Sequence, residues 1–224
     1  PVRLANTREA DLLSSPGRCG LQARVRLAAR ADGSLLGADI EFLFDSGGYA
    51  DYAVNVSRAA AISCTGPYNI PAVKTDSLCV YTNHPFATAF RGFGHIELSY
   101  ATERAMDLLA ERLQMDPAAL RLKNVIREGD LTPTGAPMDE NTGDLPACLA
   151  KVKERLEWDS TPHRLVLPDG KVRAKGISCF WKAPAIPTFT DAGAVLFFAD
   201  DGSATLSTGV IEIGQGAHEG LRML

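Results

Sequence analysis

The hydrophobic pattern changes period at Ile96, and this restricts the fold more than any other feature of the chain. From there Leu98, Ala101, Ala105, Leu108 and Leu109 recur on one helical face, while Glu103, Arg104, Glu111 and Arg112 carry charge. That spacing predicts a helix over roughly 95–114. Upstream the period is two. Residues 21–45 alternate on either side of Ala31-Asp32-Gly33-Ser34 and read as a β-hairpin, and residues 72–82 form a further strand through Val73, Thr75, Val80 and Tyr81. Between them "SRAAAISCTGPYNIP" begins helix-like and breaks at Gly66-Pro67.

Downstream, Asp116-Pro117 offers an N-cap and an N1 proline for a short helix through "AALRLKNVI". Residues 127–144 are loop, rich in Gly, Pro, Asp and Thr, and "LPACLAKVKERLEW" is helical again, with Leu145, Leu149, Val152 and Leu156 at that spacing. The last third returns to strands: "KVRAKGISCFWK", then "GAVLFFADDGSATLSTG" folding back at Asp200-Asp201-Gly202-Ser203, then "VIEIGQG". Strands and helices fall in blocks, so an α+β fold is expected rather than a doubly wound sheet. Residues 1–160 are expected to form one lobe and 161–224 the strand-rich start of the next. The chain opens at Pro1 and closes within "HEGLRML", which fits a piece of a longer protein.

Composition narrows the function. A net charge of -4 disfavours a protein that grips a phosphate backbone by bulk electrostatics. No segment has the length of a membrane span or the pattern of a signal peptide, so a cytoplasmic location is expected. Five cysteines, an odd number, show no C-x-x-C pair, and the four histidines lack metal-ligand spacing; no metal ligand is assigned.

Two glycine stretches carry the candidate chemistry. Arg91-Gly92-Phe93-Gly94 runs straight into the predicted helix, where glycines let backbone approach a ligand and unpaired N–H groups face an anion. Gly214-Gln215-Gly216 sets an amide, both donor and acceptor, between two glycines. Taken alone, each is read more readily as a tight turn. Arg58, among apolar neighbours, is either a solvated arginine or a substrate contact.

Taken in order, the segments resemble the molybdenum-cofactor-binding subunit of the xanthine dehydrogenase and aldehyde oxidase family. The residues that carry the likeness are "ATAFRGFG", then "ERAMDLLAERLQMDPAALRLKNVIREGD", then "DAGAVLFFADDGSATLSTGVIEIGQG", with "PVRLANTREADLLSSPGR" and "DSGGYADY" before them. The resemblance implies that Arg91 and Gly92 contact the cofactor through backbone. It implies that Phe93 walls a flat substrate, that Gly214, Gln215 and Gly216 contact the pterin, and that Arg58 orients substrate. It further implies molybdopterin, as such or as the cytosine dinucleotide, with 2Fe-2S clusters and FAD on partner domains or subunits. The implied activity is water-dependent hydroxylation of a purine-like N-heterocycle or an aldehyde. The family's catalytic glutamate would lie beyond Leu224, so no catalytic residue is assigned and the chain alone is expected to be inactive. One departure stands out: where many members continue with Gly-Pro-Gln, this chain has His95-Ile96-Glu97. The rival reading is a non-catalytic cofactor-binding or assembly module on the same scaffold.

Overall fold

In the computed structural model, which describes residues 2–140, 143–182 and 193–223, the expected hairpin forms with its turn where Asp32-Gly33 stands. Strand β1 (Gly20–Ala29) pairs antiparallel with β2 (Leu35–Asp45). The Asp32 carboxylate accepts from the Ser34 amide at 3.0 Å, and Gly33 takes the left-handed conformation at φ +85°. Such a turn matches the twist of its strands. The same Asp-Gly device recurs at Asp169-Gly170 and Asp201-Gly202, with glycine φ of 81° and 83°.

A short helix α1 (Arg8–Ser14), capped by Thr7, precedes the sheet; sequence periodicity did not predict it because it buries no residue. After β2 the chain runs through α2 (Ala53–Ile62) into β3 (Ala72–Val80), which pairs parallel to β2. The three-stranded sheet is therefore mixed, ordered β1-β2-β3. Its inner face supplies Ile40, Phe42 and Phe44, packed with Val56 and Ala60 of α2 and with Leu98, Met106 and Ala110 of α3 (His95–Leu113). Its outer face is a charge ladder. Arg24 and Arg26 of β1 meet Glu41 of β2, Arg26 also meets Asp39, and Lys74 of β3 meets Asp39 and Asp76. Opposite charges on facing strands suit a solvated sheet face.

Helix α3 ends on Gln114 in the left-handed conformation, and Asp116 then caps α4 (Pro117–Asn124). Asp116 serves twice: one carboxylate oxygen accepts from the Ala119 amide and the other from the Trp158 indole, both at 2.8 Å. Asn124, at the end of α4, donates to the Gly33 carbonyl and accepts from the Leu35 amide, each at 2.9 Å, pinning the first hairpin turn from 89 residues away. A buried cluster ties the helices together. The fully buried Arg121 donates to Glu103 at 2.8 Å and to Asp107 at 2.8 Å; Glu103 also accepts from the Tyr68 hydroxyl at 2.5 Å and from the Cys179 amide at 3.0 Å.

Helix α5 (Leu145–Arg155) follows the 127–144 loop, of which residues 141 and 142 lie outside the described residues. A small antiparallel pair, β4 (Arg164–Val166) with β5 (Val172–Ala174), then takes up only the start of the strand expected over 171–182. The chain divides into two compact units, residues 1–184 and 185–224. In the second, β6 (Ala194–Phe198) and β7 (Ala204–Thr208) form a hairpin, followed by α6 (Ala217–Arg222). The strand expected at "VIEIGQG" is absent: residues 210–216 are loop, because glutamate and glutamine side chains, not a neighbouring strand, take up the backbone groups there. No helix among the described residues is long and apolar enough to cross a membrane.

Candidate functional site

The first glycine loop is built by three consecutive left-handed residues. Gly92, Phe93 and Gly94 have φ of 106°, 50° and 88°, and α3 starts directly after them without a side-chain cap. Phe93 is not a glycine, and holding an aromatic residue there costs on the order of 1–2 kcal/mol. Packing holds it: the ring is half-buried against the core and meets Tyr52 edge-on at 6.4 Å between centroids. Gly94 is needed for a second reason. A Cβ there would lie 2.4 Å from the Val56 carbonyl of α2.

The carbonyl side of the loop is fully engaged. Arg18 donates to the Arg91 carbonyl at 2.7 Å, and the His95 ring nitrogen Nδ1 donates to the carbonyls of Gly92 at 3.1 Å and Phe93 at 3.3 Å. Burial lowers the His95 pKa, so the ring is neutral at pH 7, with the proton on Nδ1 and Nε2 accepting from the Ser63 hydroxyl at 3.0 Å. A planar trans peptide points its N–H opposite to its C=O, so the Gly92 amide faces away from Arg18. The Arg91 side chain is exposed.

Arg58 stands on the exposed side of α2, one turn beyond the exposed Val54 and opposite the buried Val56 and Ala60. Phe93 and Gly94 meet α2 through Tyr52 and Val56, on the face of the helix opposite Arg58.

The second loop belongs to the other unit and is described by itself. Gly214 and Gly216 have φ of 95° and 81°, and a Cβ on either would meet nothing within 4 Å. The Gln215 amide is spent on its own loop: its oxygen accepts from the Ile213 amide and its nitrogen donates to the Ile211 carbonyl, both at 2.7 Å. Glu212 fills the hollow of the turn, accepting from the amides of Gly214 at 2.6 Å, Gly216 at 3.1 Å and His218 at 3.3 Å. Those amide bonds, the one from Gly216 foremost, hold its carboxyl below the usual glutamate range.

Sequence reasoning missed Glu212 and Arg18. An acidic residue two positions before a glycine turn is a local signal for the first. Nothing local signals the second. Among the described residues, no group of three His, Cys, Asp or Glu side chains converges as a metal site. Burial keeps the Cys19 and Cys179 thiols protonated, each raised to about 11.

Residues 1–125 match the sequence model of the molybdopterin cofactor-binding domain. The chain is 31% identical to the putative xanthine dehydrogenase molybdenum-binding subunit XdhA of Escherichia coli over 97% of its own length and 29% of that protein's. It is 36% identical to the nicotinate dehydrogenase large molybdopterin subunit of Eubacterium barkeri over 69% of its own length and 36% of that protein's. Among solved structures, the aldehyde oxidoreductase of Desulfovibrio desulfuricans superposes with a TM-score of 0.64 at 27% identity, over 84% of this chain and 21% of that one. The chain thus spans about a third or less of the relatives it matches. A family match over more than half of the chain, with relatives aligned along nearly all of it, places it plainly: the chain belongs to the molybdopterin cofactor-binding domain family, that of the molybdenum-binding subunits of xanthine dehydrogenases and aldehyde oxidoreductases.

Proposed function

We propose that the protein carrying this chain is a molybdenum hydroxylase. It places a water-derived oxygen on a carbon of a purine-like N-heterocycle or an aldehyde and passes electrons to iron–sulfur and flavin partners. This chain's share is to bind the molybdopterin cofactor, as such or as the cytosine dinucleotide, and to form part of the substrate pocket. The observation that carries the reading is the run of three left-handed residues, one of them an aromatic, at the uncapped start of a 19-residue helix. Backbone strain of this kind clusters at functional sites, where the surrounding packing holds it.

The residues fit such a group. Where a Cβ would stand on Gly214 and Gly216 there is open space, so the flat edge of a pterin can reach the backbone from that side while both amides stay with Glu212. When bound, the cofactor supplies the redox centre that takes electrons from the substrate carbon. The protein's part is orientation. The backbone of Arg91 and Gly92 holds the cofactor, Phe93 stacks on a flat substrate, and Arg58 contacts its polar edge. Gly214 and Gly216 meet the pterin, for which Gln215 exchanges its two local hydrogen bonds.

The test is made on the full-length protein with Gln215→Ala. Molybdenum and pterin content per chain is expected to fall about tenfold, the loss of roughly one hydrogen bond's worth of affinity. Full cofactor occupancy in that variant, together with full occupancy in Gly92→Ala, would sink the reading.

A further inference from the structure

The Arg18 side chain makes three contacts at the first glycine loop and on either side of it, although it lies more than 70 residues away in sequence. Its Nη2 donates to the Arg91 carbonyl at 2.7 Å, its Nη1 donates to Glu97 Oε1 at 3.0 Å, and its guanidinium lies 4.5 Å from the centre of the Phe90 ring. The backbone beneath it is fixed too. The Gly17 amide donates to the Phe86 carbonyl, the Thr88 amide donates to the Gly17 carbonyl, and Gly17 bridges to Ala87. The two segments therefore run side by side, and the arginine reaches from one across the turn of the other.

We propose that Arg18 is the positioning residue of the Arg91–Gly92 loop. Its two donors hold the loop at both ends, one on the carbonyl that opens the turn and one on the carboxylate in the first turn of α3. A guanidinium can do this because its N–H groups form a rigid fork, and a lysine ammonium cannot match both acceptors at once. Fixing the Arg91 carbonyl fixes the whole peptide plane, and with it the direction of the Gly92 N–H. The Glu97 carboxylate anchors the other prong from a nearly buried position, its side chain 7% exposed against 29% for Arg18. Phe90 covers the guanidinium from one side, a cation–aromatic contact that strengthens as water is excluded. The role toward the cofactor rests on the reading above; the clamp on the loop does not.

The experiment uses the full-length protein, with Arg18→Ala and Arg18→Lys compared with Arg24→Ala, a change on the solvated outer face of the sheet. Two quantities are read: hydrogen–deuterium exchange of the amides at 92–98 without cofactor, and pterin content of the purified protein. Arg18→Ala is expected to speed exchange at 92–98 about tenfold, the ratio implied by losing one charge-assisted hydrogen bond, while amides of β2 stay unchanged. Arg18→Lys gives a smaller acceleration of the same segment and stands in if the alanine variant fails to fold. Arg24→Ala changes neither quantity. Unchanged exchange at 92–98 in both Arg18 variants overturns the inference. Faster exchange with undiminished pterin content keeps Arg18 as the clamp and removes the cofactor reading of this loop instead.

Discussion

Arg121 is fully buried, and four acceptors decide whether that is tolerable. The guanidinium donates to the carboxylates of Glu103 and Asp107, each at 2.8 Å, and to the carbonyls of Pro117 and Glu103, at 3.1 and 3.2 Å. Glu103 in turn serves Tyr68 and Cys179, so one carboxylate joins α3, α4, the Gly66-Pro67 turn and the segment after β5. Burial and the adjacent carboxylate push the Tyr68 hydroxyl far above its usual range, and it remains a donor at every working pH. Removing the arginine would leave Glu103 buried without its cation. Arg121→Met is accordingly expected to lower unfolding free energy by about 3–5 kcal/mol, and the double change with Glu103→Leu to recover part of that loss. Urea unfolding of the parent and the two variants measures it. A single variant that unfolds at the parent's midpoint would show that the network carries no net stability.

At the scale of elements, the junction of α2 with α3 depends on the missing side chain of Gly94. Its φ of 88° and the 2.4 Å between a would-be Cβ and the Val56 carbonyl put two obstacles before any substitution. Gly94→Ala is expected to cost about 2–5 kcal/mol, combining left-handed strain with overpacking against backbone. Gly129, also left-handed at φ 87° but open to solvent, isolates the first term, so Gly129→Ala should cost only about 1–2 kcal/mol. Thermal unfolding of both variants separates them, and equal losses would remove the packing argument. The difference matters for the loop: a shift of α2 away from α3 carries Tyr52 off Phe93 and frees the aromatic that the strained turn presents.

For the molecule as a whole, the β6–β7 ribbon is out of balance with its size. Val195, Leu196, Phe197 and Phe198 are each more than half exposed, and Ile211 and Ile213 beyond it are 74% and 84% exposed. A two-stranded ribbon with apolar side chains on both faces is at best marginally stable alone and presents an apolar patch to solvent. The 224-residue chain is therefore expected to bind a hydrophobic dye strongly, and Phe197→Ser with Ile213→Ser to reduce that signal at least about twofold; a weak signal in the unmodified chain would contradict this. Much of the architecture was legible locally. The period change at Ile96 located α3, Asp116-Pro117 located α4, and the Asp-Gly turns located two of the three small hairpins. The order of the modest motifs along the chain pointed to the family that the comparisons then confirmed. What local pattern could not supply was every decision made between distant residues. The parallel pairing of β2 with β3, Asn124 on the first hairpin turn, Glu103 shared among four segments, and Arg18 across the turn that begins at Arg91 all arise this way. So does the failure of residues 210–216 to form a strand, because Glu212 satisfied the loop's amides first. The physical reason is one of range. Helical period, capping and turn chemistry are set by residues a few positions apart and are written in the sequence, whereas a contact across 70 or more residues exists only once packing has brought its two ends together.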